Sequence, residues 1–110
     1  MSKSQDTFTL PLSIDAVHAA CIEAAETNGW RIKDSHLEHF YLSQQISILD
    51  RFYRYPSDCV IFLRREKPRK TRVELFGRIR GFGPLQMRRV KHALGELKAA
   101  IETAAKDSRR

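Results

Sequence analysis

The side chains best equipped for chemistry in this chain are arginines. Arg72, Arg78 and Arg80 are spaced through the stretch TRVELFGRIRGFGP, Phe76 stands among them, and Arg88 and Arg89 follow a short glycine loop. A guanidinium forks onto a carboxylate or phosphate through parallel N–H donors, and it stays charged at any ordinary pH. Such a set points to holding an anion, not to moving a proton. Gly81 and Gly83 precede Pro84, a residue suited to a first helical turn, and a helix start offers unpaired N–H groups to an anion. The loop spacing matches neither the Walker loop nor the dinucleotide fingerprint.

Other chemistries find less support. There is no Gly-x-Ser-x-Gly elbow and no obvious carboxylate pair, and Asp34, Asp50 and Asp58 fall in turn-like contexts, where Asp serves the backbone. No enzymatic activity is expected. His18 and Cys21 share a helix face and His36 and His39 lie close in sequence, but zinc needs three or four converging ligands. The expectation is therefore no metal and no cofactor. Cys21 and Cys59 form no Cys-x-x-Cys pair and read as buried thiols.

The arginines need a strand to present them. Val73, Leu75, Gly77 and Ile79 alternate with Arg72, Glu74, Phe76, Arg78 and Arg80, so one face packs and the other carries the cations. A helix follows, with Met87, Val90, Leu94, Leu97 and Ile101 in one apolar stripe. Gly95 interrupts it, and close approach of another element is the expected reason. Upstream, Thr7 to Leu12 predicts a short strand, and Ser13 caps a helix that ends at Asn28-Gly29. Trp30 to Lys33, His39 to Leu49 and Cys59 to Arg65 predict further strands; Asp50 to Asp58 and Glu66 to Lys70 are connections. The expected class is α+β: a four- to five-stranded antiparallel sheet with two helices on one face, in the order β-α-β-β-β-β-α. Residues 7–105 make one domain, with flexible ends at 1–6 and 106–110.

Charge is unevenly placed. Residues 1–50 hold 3 basic and 7 acidic side chains, against 17 basic and 6 acidic in residues 51–110, so the halves carry −4 and +11. An anionic or acidic partner for the second half follows from that asymmetry. Aromatics among arginines on an open sheet suit nucleic acid, an acidic protein, or a second copy of the chain docking through the sheet face. A small apolar ligand between helix and sheet, lined by Trp30, Phe40, Met87 and Leu94, is a further reading. The longest apolar run, Cys59 to Leu63, is too short to span a bilayer, and MSKSQDTFTLPL lacks a signal-peptide core. A cytoplasmic location is expected.

Three passages carry a likeness to a known family: LPLSIDAVHAACIEAAETNGWRI, RFYRYPSDCVIFLRR, and TRVEL running through arginines and glycines into FGPLQMRRV. Over roughly Phe8 to Ile101 the chain resembles the domain of unknown function 1499 family. The resemblance implies a small α+β fold and offers no catalytic residues. That family's loop before the last helix usually carries an Asp and an Asn; here there is no Asp, and Gln86 stands near the Asn position.

Overall fold

Apolar alternation with a period of two becomes, in the computed structural model, five strands: β1 (Ser2–Leu10), β2 (Trp30–Ser35), β3 (His39–Gln44), β4 (Asp58–Lys67) and β5 (Lys70–Ile79). Two helices accompany them, α1 (Ile14–Thr27) and α2 (Pro84–Asp107). The structure describes residues 2–44, 57–80 and 83–107. The strands lie side by side as β1-β5-β4-β3-β2, and every neighbouring pair is antiparallel. The expected class and element order are those observed.

Local chemistry sets the boundaries. Ser13 caps α1 by accepting a hydrogen bond from Ala16 N–H at 3.3 Å, and Gly29 takes φ 77° just past the Asn28 C-cap. Pro68 and Arg69 turn β4 back into β5, leaving Lys67 paired with Lys70. Gln44 and Ser57 pair across the base of the intervening segment, through Gln44 N–H to the Ser57 carbonyl at 2.8 Å and Ser57 N–H to Gln44 Oε1 at 3.3 Å.

Both helices pack on one face of the sheet and on each other. Ile14, Val17, Cys21 and Ala24 of α1 meet Val90, Leu94, Leu97 and Ile101 of α2 in the same core as Phe40, Leu42, Cys59, Ile61, Leu63, Val73 and Leu75. Each large apolar side chain sunk there contributes about 1.5–3 kcal/mol. The edge strand β1 is tied to α2 by Lys98, whose Nζ lies 3.7 Å from Asp6 and 5.4 Å from the Phe8 ring centre. Buried Thr71 donates its hydroxyl hydrogen to the Leu12 carbonyl at 2.9 Å, fixing the chain where it leaves β1.

Three expectations change, and one falls outside the described residues. Residues 2–6, too polar to suggest a strand, pair with β5 from Ser2 opposite Ile79 onward, because ladder hydrogen bonds at a sheet edge need no apolar side chain. At the other end the helix continues through Lys106 and Asp107. The β3 ladder is described to Gln44, so the remainder of the strand expected to reach Leu49 lies outside the described residues, as does most of Asp50 to Asp58. Gly95 is exposed, and a Cβ added there would meet nothing within 4 Å. Close approach occurs instead at Gly77 of β5, where a Cβ would stand 2.9 Å from Leu94 Cγ and 3.0 Å from Val90 Cγ2.

Two predictions follow from packing and burial. Gly77→Ala wedges Leu94, itself locked in the core, and is expected to lower unfolding free energy by about 1–3 kcal/mol; Gly95→Ala should raise it by up to about 1 kcal/mol. Urea unfolding of both variants checks the opposite signs. The free thiols Cys21 and Cys59 are buried, and burial pushes each up to about 12 from 9.0. Their protonated form thus contributes stability that is complete below about 9 and is lost as pH rises from there toward 12. The urea midpoint should fall across that window, and more gently in Cys59→Ala.

Candidate functional site

The face of the sheet turned away from the helices is built by register. Residues opposite each other on antiparallel strands share a face. Lys3, Arg78, Asp58 and Ser43 therefore form one row across β1, β5, β4 and β3, and Gln5, Phe76, Val60 and Tyr41 form the next. Thr7, Glu74, Phe62 and His39 make a third row, and Thr9, Arg72 and Arg64 a fourth. The face thus has an aromatic middle with charged rows on both sides.

The aromatic middle is partly open to solvent. Phe62 is 41% exposed and meets Phe76 edge-to-face, with ring centres 5.7 Å apart at 79°. Beside Phe76 lies a half-open groove of about 520 Å³, lined by Lys3, Gln5, Asp58, Val60, Phe76 and Arg78 among others. Arg78 donates a hydrogen bond to the Tyr41 hydroxyl at 3.0 Å, and its guanidinium carbon is 5.9 Å from the Tyr41 ring centre. That hydrogen bond, helped by Asp58 at 3.8 Å, holds the guanidinium above its ordinary range. A permanently charged, preoriented fork is suited to recognising an anion.

Carboxylates accompany these cations. Arg72 Nε lies 2.8 Å from Glu66 and its Nη1 3.9 Å from Glu74, and Arg64 Nε is 3.6 Å from Glu74. Lys70 Nζ adds a contact to Glu66 at 3.6 Å. The hydrogen bond from Arg72 is the main cause that holds Glu66 below the ordinary carboxylate range. The basic stripe expected from the sequence is therefore a mixed-charge lattice.

Of the residues singled out in the sequence, Arg72, Phe76 and Arg78 come together on this outer face. Arg80 is exposed one residue past the end of β5. Arg88 and Arg89 lie on α2, in the layer on the other side of the sheet, so they do not join the outer face. Gly81 falls outside the described residues, while Gly83 takes φ 110° and its carbonyl accepts the first helical bond, from Met87 N–H at 3.1 Å. Sequence reasoning passed over Lys3, Gln5 and Tyr41, because β1 reads as a polar end and Tyr41 as a plain strand residue. The expected His18–Cys21 neighbours divide: His18 stacks on Phe40 at 4.6 Å, while Cys21 is sealed in the core. Trp30, Phe40 and Leu94, considered as pocket lining, belong to the packed core, and Met87 is half-buried.

No family model and no curated protein matches the chain significantly. Solved structures do. A START superfamily protein from Mycobacterium smegmatis aligns with TM-score 0.70 at 9% identity, covering 97% of this chain and 99% of that one. The di-domain aromatase/cyclase BexL aligns with TM-score 0.65 at 12% identity over 98% of this chain, which spans 46% of BexL. The Zhui aromatase/cyclase from a Streptomyces species aligns at TM-score 0.52 and 10% identity over 98% of this chain and 93% of that one. The chain shares its fold with these proteins. At such identities the likeness extends to the fold alone.

The Arg72–Glu66 contact gives a direct prediction. Arg72→Ala should move the Glu66 titration up toward the ordinary carboxylate value, read by carbon-detected NMR of the side-chain carboxyl. An unchanged Glu66 midpoint would contradict the pairing.

Proposed function

We propose that the protein is a non-enzymatic binding domain that docks an acidic protein segment on the outer face of β1, β5 and β4. The observation that carries this reading is the groove beside Phe76, where an apolar floor of Phe76 and Val60 lies next to the cations Lys3 and Arg78. An apolar side chain of the partner fills the groove, and a neighbouring carboxylate meets Arg78. Asp58 stands 3.8 Å from that guanidinium, beyond hydrogen-bonding range, so a partner carboxylate can take the closer place. Arg80 is exposed one residue past the Arg78 end of β5, while Arg72 lies three rows away, against Glu66 and Glu74. A net charge of +7 favours encounter with an acidic surface.

Nucleic acid is less favoured on this face. Arg64 and Arg72 already sit against Glu66 and Glu74, and a phosphate backbone would have to approach those carboxylates as well. Self-association is the second reading, supported by the exposure of Phe62 at 41% beside Phe76.

Fluorescence anisotropy with a labelled peptide of Glu and Leu residues separates these readings. Binding at low salt that weakens as salt rises, and that drops about tenfold or more in Phe76→Ala, is the expected result. No binding at low salt, or an unaffected Phe76→Ala, overturns the proposal. Tighter binding of single-stranded RNA would reassign the face to nucleic acid. A dimer mass by light scattering, lost in Phe62→Glu, would reassign it to a second copy.

A further inference from the structure

The end of the β2–β3 hairpin gathers three side chains that the outer-face groove does not use. Asp34 pairs with Tyr41 and Ser35 with Phe40, and the His36 N–H donates to the His39 carbonyl at 2.8 Å to close the turn. His36 and His39 thereby stand opposite each other, their rings stacked with centres 4.4 Å apart at 25°. His36 Nε2 lies 3.2 Å from Asp34 Oδ1. One donor atom from each of Asp34, His36 and His39 lies within 4.8 Å of the others, and all three residues are exposed.

A β-bulge makes this convergence. Ile32 pairs inward with Leu42, so strict alternation would send Lys33 outward and Asp34 inward. The register instead shifts between Ile32 and Asp34, which turns Asp34 to the same side as Tyr41. Lys33 stays on that side too, its Nζ 5.5 Å from the Tyr41 ring centre. Bulges re-aim side chains in this way. Phe62 flanks His39 with ring centres 6.3 Å apart, which limits where that imidazole can swing.

We propose that Asp34, His36 and His39 form a surface site for a zinc-class divalent cation. Two imidazoles and one carboxylate are a donor set for zinc, copper(II) or nickel rather than for calcium or magnesium, which take oxygen ligands. Tetrahedral zinc with bonds of about 2.0–2.2 Å holds its donors roughly 3.3 Å apart. The Asp34–His36 pair is already at that spacing, and the His39 donor lies within 4.8 Å of both. A fourth position is left for water. The site is distinct from the groove lined by Lys3, Phe76 and Arg78, and does not depend on what that groove binds.

Calorimetric titration of zinc chloride into the untagged full chain tests it. The expected result is one equivalent bound, with affinity reduced about tenfold or more in His39→Ala and in His36→Ala. His39→Ala is the sharper variant, since it leaves the Asp34–His36 contact in place. The imidazole NMR signals of His36 and His39 should move on titration while those of His18 and His92 stay put. His92 lies 3.0 Å from Glu96 on α2, a two-donor competitor, and His92→Ala should leave the affinity unchanged. The absence of saturable binding overturns the inference. Full affinity in the His36→Ala/His39→Ala double variant, or a loss confined to His92→Ala, overturns it equally.

Discussion

The seating of α2 on the bare backbone of Gly77 is the constraint on which the rest depends. Leu94 and Val90 approach β5 so closely that the smallest added side chain would overlap them. That contact sets the height of the helix above the sheet, and with it the volume that Phe40, Leu75 and Ile101 must fill. Interiors pack at crystal-like density, so a helix lifted at this point would open gaps along its whole stripe. It also decides which face of β5 is available. With the inner side closed by α2, Arg72, Phe76 and Arg78 have only the outer side.

The outer side is shaped by two competing terms. Arg64 and Arg72 stand directly opposite each other on β4 and β5 and repel, and carboxylates sit among the cations of this face: Asp58 and Glu66 from β4, and Glu74 from β5. These exposed pairs add little to stability individually. Their larger effect is on recognition. They lower the field that a polyanion would feel while leaving the aromatic middle uncovered, so apolar contact and a single well-placed guanidinium carry the selectivity.

Much of this was legible from the residues. Inward and outward sides of β4 and β5 follow from a period of two, and the α2 stripe from spacings of three and four. The buried thiols Cys21 and Cys59 and the Ser13 cap were equally readable. Other features needed three dimensions. Two glycines, Gly77 and Gly95, look alike on paper, and only the sheet register reveals which one faces Leu94. Residues 2–6 carry no apolar signal because an edge strand is held by its backbone ladder. The spacing Asp34-x-His36-x-x-His39 is visible in the sequence, but strict alternation places Asp34 on the wrong side, and the bulge that corrects it leaves no mark in composition. At 9–12% identity the fold shared with the Mycobacterium smegmatis protein and BexL is invisible to sequence comparison.

The pairing of β1 with β5 has a consequence for how the molecule comes to be. Ser2 finds its partner at Ile79, and Leu10 at Thr71, so the first strand borders the last one rather than its successor. On a ribosome, β1 would wait without this ladder until β5 had emerged. Closing so large a loop is entropically slow, and topologies rich in such distant contacts assemble slowly. A polar opening strand, poor at sticking to other nascent chains, is well matched to that delay.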